Sequence, residues 1–157
     1  MGFGVCGHNP TSKVGKCFRN NCWWWRPLWI YCNEVAPDII DEQTEKFGHF
    51  NEAYGLGADG ARALAERLRD RLASGHCLEF ERDWRIRQET APDVECDSCG
   101  GTGIRKPPPQ GGPGDERCGF CSGTGTHPDL INCYPFDSVN VANFAAFLED
   151  CGGFSIE

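Results

Sequence analysis

An eight-residue pattern occurs twice in the chain, as Cys96-Asp97-Ser98-Cys99-Gly100-Gly101-Thr102-Gly103 and as Cys118-Gly119-Phe120-Cys121-Ser122-Gly123-Thr124-Gly125. Both copies read CxxCxGxG, and 18 residues separate Cys99 from Cys118. That spacing lies within the window for four thiolates on one tetrahedral zinc ion. Two residues between thiolates let a tight turn aim both sulfurs at the same ion, about 2.3 Å from each. The glycines after each pair permit positive φ, so backbone N–H groups can turn back toward the sulfurs and damp their charge. Cys96, Cys99, Cys118 and Cys121 would fill the tetrahedron and leave no position for a reacting water. The one zinc expected here is therefore structural.

The chain holds eleven cysteines, an odd number. Its start, MGFGVC, shows neither a basic segment nor a long apolar run of the secretory kind. Thiols kept reduced in a cytoplasmic protein are the expectation, with some of them on metal. Cys6, Cys32, Cys133 and Cys151 stand in apolar company and read as small core residues, whereas Cys77, after Gly75-His76, reads as exposed. No apolar run approaches the roughly 20 residues of a membrane span.

The paired motif resembles half of the cysteine-rich region of DnaJ-type chaperones, whose four such repeats bind two zinc ions and help contact unfolded clients or partners. The likeness covers residues 96–125 only. His127-Pro128-Asp129 spells the J-domain tripeptide, but it follows the cysteine motif and lacks that domain's flanking helices, so it reads as a turn. Across its whole length the chain also resembles a family of small, uncharacterised proteins encoded by phages and bacterial genomes. The features that carry this are NPTS at 9–12, FRNNCWWWRPLW at 18–29, a Gly-rich turn before an Ala/Leu helix, the CxxCxGxG pair, and FLEDCGGF at 147–154. This resemblance implies an accessory gene product, in the host cytoplasm if phage-encoded, and supplies no catalytic residues.

At 157 residues the chain is one domain's worth. The expected fold is a small α+β single domain, 1–157, with three or four helices, a minor sheet and a four-cysteine zinc knuckle. The knuckle is an inserted module, 96–125, whose middle, KPPPQGGPG, projects as an exposed loop. Residues 3–8 read as a strand and 17–26 as an extended segment. Pro27 then opens a helix with Leu28, Tyr31, Cys32 and Val35 on one face. Residues 37–58 read as irregular. Asp59 is expected to cap a helix carrying Ala61, Leu64, Ala65, Leu68 and Leu72, with Gly75 as its stop. Residues 78–90 suggest a charged helix with Phe80 and Trp84 inward. A last helix runs from Ser138 as N-cap to Cys151, and Phe154–Ile156 returns as an edge strand beside the N-terminal one.

The net charge of −8 is uneven. Residues 1–33 carry Lys13, Lys16, Arg19 and Arg26 and no acid, whereas 34–61 carry seven acids against Lys46. Only the first 33 residues are basic without interleaved acids, which disfavours generic nucleic-acid binding. Gly55-Leu56-Gly57-Ala58-Asp59-Gly60 matches G-x-G-x-x-G, but HFNEAY before it makes a poor strand, so it reads as a turn that caps the next helix. His8, His49, His76 and His127 are scattered, and no nucleophile–base–orienter set can be assembled, which favours a non-catalytic binding protein.

The stretch NNCWWWRPLW, Asn20 to Trp29, carries the functional question. In an extended segment Trp23 and Trp25 point one way and Trp24 the other. One reading makes the indoles core bulk. The other makes Arg19, Asn20, Asn21, Trp24 and Arg26 a recognition surface, since Trp and Arg dominate binding hot spots and the local positive charge attracts acidic partners. Its partner would be a protein or a small, nucleotide-like anionic ligand.

Overall fold

Strand β1, Gly2–Gly7, alternates strictly: Phe3 and Val5 are buried, and Gly2, Gly4 and Cys6 occupy the other face. The computed structural model of the chain describes residues 2–105, 116–129 and 133–157. It divides the chain into two compact units, Met1–Arg85 with Tyr134–Glu157, and Ile86–Cys133. In the first unit β1 pairs antiparallel with β2 (Cys17–Asn21) on one side and β6 (Phe154–Ile156) on the other. β3 (Gly55–Leu56) adds to β6, giving the order β2-β1-β6-β3. The C-terminal strand thus pairs with the N-terminal one as expected. It is not an edge, because β3 covers its far side. Gly55 permits that approach, since a Cβ there would lie 1.8 Å from the Phe154 carbonyl oxygen. The G-x-G-x-x-G stretch therefore supplies a short antiparallel strand and a helix start, and no parallel βαβ unit surrounds it.

Among the described residues there are five α-helices: α1 (Cys22–Val35), α2 (Glu42–Phe47), α3 (Ala58–Ala73), α4 (His76–Thr90) and α5 (Ser138–Asp150). The one without an expected counterpart is α2, in the segment read as irregular. Asp41 caps it by accepting from Gln43 N (3.0 Å) and Thr44 N (2.9 Å). In α3 the cap is Gly57 rather than Asp59, which instead lies in the first turn, where a carboxylate favours the helix dipole. Its stripe of Ala61, Leu64, Ala65 and Leu68 is buried as its period requires. Asp137, not Ser138, caps α5, accepting from Val139 N at 2.8 Å.

The largest departure from expectation is at α1. Residues 22–26 are helical, not extended, and the helix begins five residues before Pro27. Asn21 explains the early start: its side-chain oxygen accepts from Trp24 N at 3.1 Å, an N-cap bond. Pro27 then removes only the N–H that would have reached the Trp23 carbonyl, close to the exposed start of the helix. The three consecutive indoles consequently fan around a helix instead of alternating across a strand. Trp25 and Trp29, at i and i+4, stack at 5.4 Å and are fully buried, whereas Trp23 is 52% exposed and Trp24 half-buried.

Both buried indoles find acceptors on the last turn of α2. Trp25 Nε1 donates to the Gly48 carbonyl (2.7 Å) and Trp29 Nε1 to the Glu45 carbonyl (3.1 Å), so helix-end carbonyls without intrahelical donors are satisfied by tryptophan. Gly48 is forced by this approach, because a Cβ would lie 2.2 Å from Trp29 Nε1. The rest of the core is also aromatic. Phe3 stacks on Trp25 (5.6 Å), Phe144 meets Trp25 edge-on (5.6 Å), and Phe18 packs on Phe144 and Phe147. Helices α1 and α5 thereby cover the inward face of the sheet. Arg67 of α3 donates to the Val35 carbonyl at the end of α1 and pairs with both Asp38 oxygens. Asp150 accepts from Thr11 and Ser12, tying the NPTS turn to α5.

The cysteines outside the duplicated motif sort by environment. Cys32 and Cys151 are buried as expected and Cys6 is half-buried. Two readings are corrected: Cys133 is exposed, and Cys77 is buried because it shares the inward face of α4 with Phe80 and Trp84. Burial pushes the Cys77 thiol up to about 11 and raises that of Cys32 further, which leaves both protonated and inert. No helix among the described residues is long and apolar enough to cross a membrane. The segment KPPPQGGPG lies outside the described residues.

Candidate metal centre

The two copies of the motif fold as near-repeats of one another. β4 (Val94–Glu95) leads into Cys96 and β5 (Thr126–His127) leaves Gly125, and these two strands pair antiparallel. The bridge between Ile104 and Arg117 is the same pairing with the two copies exchanged, since the copies are offset by 22 residues and Glu95 pairs with Thr126. Each motif's backbone docks on the other: Cys118 N donates to the Gly103 carbonyl (2.8 Å) and Cys96 N to the Gly125 carbonyl (2.9 Å). Within each copy the threonine hydroxyl reaches back to the second cysteine's carbonyl, Thr102 to Cys99 (2.8 Å) and Thr124 to Cys121 (2.7 Å).

These turns bring four sulfurs to one point. The ligand atoms of Cys96, Cys99, Cys118 and Cys121 lie within 4.8 Å of one another, and all four residues are buried. Cys96 Sγ is 4.0 Å from Cys118 Sγ, and Cys99 Sγ is 3.8 Å from Cys121 Sγ. A tetrahedral ion bonded to sulfur at about 2.3 Å would set these edges near 3.8 Å, so the cage fits such an ion. Gly103 N donates to Cys99 Sγ (3.2 Å) and Gly125 N to Cys121 Sγ (3.3 Å), which are the expected outer donors on thiolate sulfur. Burial alone would raise the Cys121 thiol, but the backbone N–H groups of Gly125 and Gly123, with Cys118 and Cys96, bring it down to about 6. Burial pushes Cys96 up to about 11. A divalent cation held by these four sulfurs would replace the protons the thiols otherwise share.

The chain matches no family model, no curated protein and no solved structure.

Glycine is required twice over at the last position of each copy. Gly103 and Gly125 have φ of 73° and 81°. A Cβ on Gly103 would lie 2.4 Å from the Gly123 carbonyl oxygen, and one on Gly125 would lie 2.2 Å from the Gly101 carbonyl oxygen. Gly125→Ala should lower metal affinity by about 10–100-fold, the usual cost of losing an outer-shell partner, because the Gly125 N–H bond to Cys121 must move. Competition with a chromogenic chelator measures it.

No second group of three or more metal-ligating side chains occurs among the described residues. His49 is half-buried, and desolvation, then Arg26, holds its imidazole below the usual range; His76 Nδ1 is instead engaged by the Tyr31 hydroxyl at 3.1 Å.

The expected recognition residues are close together but not equivalent. Gly2, Phe3, Gly4, Arg19, Asn20 and Asn21 line a shallow groove of about 560 Å³ on the outward side of β1 and β2. Asn20 and Trp24 line a neighbouring one of about 240 Å³ with Asp137, Val139, Asn140 and Asn143. Asn21 is also the α1 cap, and Asn20 Nδ2 donates to Asn140 Oδ1 at 3.0 Å, so both have structural work. The Arg26 guanidinium lies over the Tyr134 ring at 5.8 Å. Trp23, not singled out by sequence reasoning, is the most exposed indole of α1 and meets Tyr134 edge-on at 5.0 Å. The sign that would have identified it is Asn21 as a helix cap: with the helix started there, Trp25 and Trp29 share the stripe of Leu28 and Trp23 falls outside it.

Proposed function

We propose that this protein is a non-catalytic, zinc-stabilised binding protein that engages another protein through the surface where β2 runs into α1. The observation that carries this is the exposure of Trp23, a large indole left half in solvent against Tyr134, whose ring also carries Arg26, while its neighbours Trp25 and Trp29 are fully buried. A side chain that served only as bulk would follow them into the core, and an exposed Trp backed by the buried Tyr134 and the half-buried Arg26 has the residue types of an interface hot spot. Arg19 and the acid-free run of residues 1–33 favour an acidic face on the partner. The resemblance to small phage-encoded proteins points to a host or phage protein as that partner.

The ion is taken as zinc because four thiolates in a closed tetrahedron suit zinc or iron, and a site with no open position gives the metal a structural task. Thiols kept reduced for a metal support a cytoplasmic setting for this reading. A second reading keeps the groove lined by Arg19, Asn20 and Asn21 for a small anion such as a nucleotide.

One set of variants tests both. Immobilised wild type is expected to retain one stoichiometric partner in a salt-sensitive manner. Trp23→Ala and Arg19→Glu should each weaken retention at least about tenfold, the scale of a hot-spot truncation, while changing stability by less than about 1 kcal/mol. Equal retention by the variants would remove the interface from this surface. A thermal shift with nucleoside phosphates that Arg19→Glu abolishes would favour the anion reading instead.

A further inference from the structure

We propose that Cys6 and Cys17 form a redox-active dithiol, a cross-strand pair on the outward face of the sheet that a low-molecular-weight disulfide converts to a protein disulfide. The placement follows from the hydrogen-bond phase of β1. Gly4 exchanges both backbone bonds with Glu157 (2.8 and 2.7 Å), and His8 N donates to the Gly153 carbonyl (2.8 Å). Residues 4, 6 and 8 therefore turn their backbone groups toward β6, and residues 3, 5 and 7 turn theirs toward β2. Cys6 stands directly opposite Cys17 in the register, so the two form a non-hydrogen-bonded pair. Such pairs bring Cα atoms to about 4.5 Å with side chains on the same face, and a disulfide spans Cα separations from about 4.4 Å upward. The bond closes without moving either strand.

The surroundings suit exchange chemistry. Cys17 is exposed and Cys6 half-buried. Burial, then the neighbouring Cys17 and Glu157, holds the Cys6 thiol above the ordinary thiol value. Cys17 is accordingly the first nucleophile. Its thiolate attacks one sulfur of the small disulfide, breaking that S–S bond. One small thiol leaves and takes up a proton, and a mixed disulfide remains on Cys17. Cys6 then gives its proton to the Glu157 carboxylate and attacks the Cys17 sulfur, expelling the second small thiol. Two protein thiols are oxidised and one small disulfide is reduced to two thiols. Cys32, Cys77 and Cys151 are buried, and the four motif cysteines are engaged with one another, so none of these competes.

The test uses the full-length, metal-loaded protein, oxidised glutathione as the probe, alkylation of the remaining thiols, and peptide mass mapping. The expected result is a Cys6–Cys17 linked peptide, with the chain lighter by about 2 Da and its metal content unchanged. Cys6→Ser should instead hold a persistent glutathione adduct on Cys17, and Cys17→Ser should form neither link nor adduct at this site. A stable adduct on wild-type Cys17, a link from either residue to Cys22 or Cys133, or unreacted Cys17 would overturn the proposal. It does not depend on the partner surface, since every readout is chemical.

Discussion

Cys121→Ser is expected to leave the protein without tightly held metal and to unfold residues 86–133. The buried side chains of that unit, among the described residues, are four cysteines and nothing else. Its strands β4 and β5 are two residues each, and their side chains are largely exposed. A segment with so little apolar burial cannot offset the entropy of ordering its backbone, so the binding free energy of a metal held there would be its folding free energy. Structural zinc in small peptides supplies about 10–16 kcal/mol in this way, and removing one of four thiolates should forfeit most of it. The measurement is metal content by elemental analysis, with amide hydrogen exchange mapped along the chain. Loss of protection confined to 86–133 is the expected pattern, because Met1–Arg85 with Tyr134–Glu157 holds an aromatic core of its own. Retained metal and unchanged protection would remove Cys121 from the site.

Trp25→Ala is expected to destabilise that core by about 3–5 kcal/mol, the range for deleting a fully buried tryptophan. The substitution removes the stacking with Trp29 and Phe3 and the edge contact to Phe144. It also strands the Gly48 carbonyl, which now accepts from the indole at 2.7 Å. Denaturant unfolding followed by tryptophan fluorescence reports this unit, because all five tryptophans lie in residues 1–85. Trp23→Ala in the same assay should change stability by less than about 1 kcal/mol, as a half-exposed side chain with one ring contact would. Equal effects from the two substitutions would contradict the division of the tryptophan run into core and surface.

What was legible in the sequence follows the range over which each signal acts. The cysteine cluster could be read directly, because paired thiolates and glycines at fixed offsets reflect a constraint set within eight residues. The buried stripe of α3 was legible from its period alone. The start of α1 was misplaced because Pro27 is as good a helix opener as Asn21 is a cap, and only the latter's bond to Trp24 N decides between them. Neither α2 nor β3 could be anticipated. α2 is six residues long and is fixed by the Asp41 cap and by two indoles from α1, and β3 is two residues that exist only because Gly55 fits against Phe154. Cys77 was placed outside because Gly75 and His76 were read as a helix end; Gly75 does end α3, but His76 already begins α4 and puts Cys77 three and seven residues before Phe80 and Trp84. Trp24 was chosen for the partner surface on the alternation of a strand, and the helix gives that exposure to Trp23.

Zinc-edge X-ray absorption on the purified protein tests the central claim most directly. One zinc per chain with four sulfur neighbours at about 2.3 Å is the predicted result. A folded protein with no zinc, or a zinc whose neighbours include nitrogen or oxygen, would contradict it.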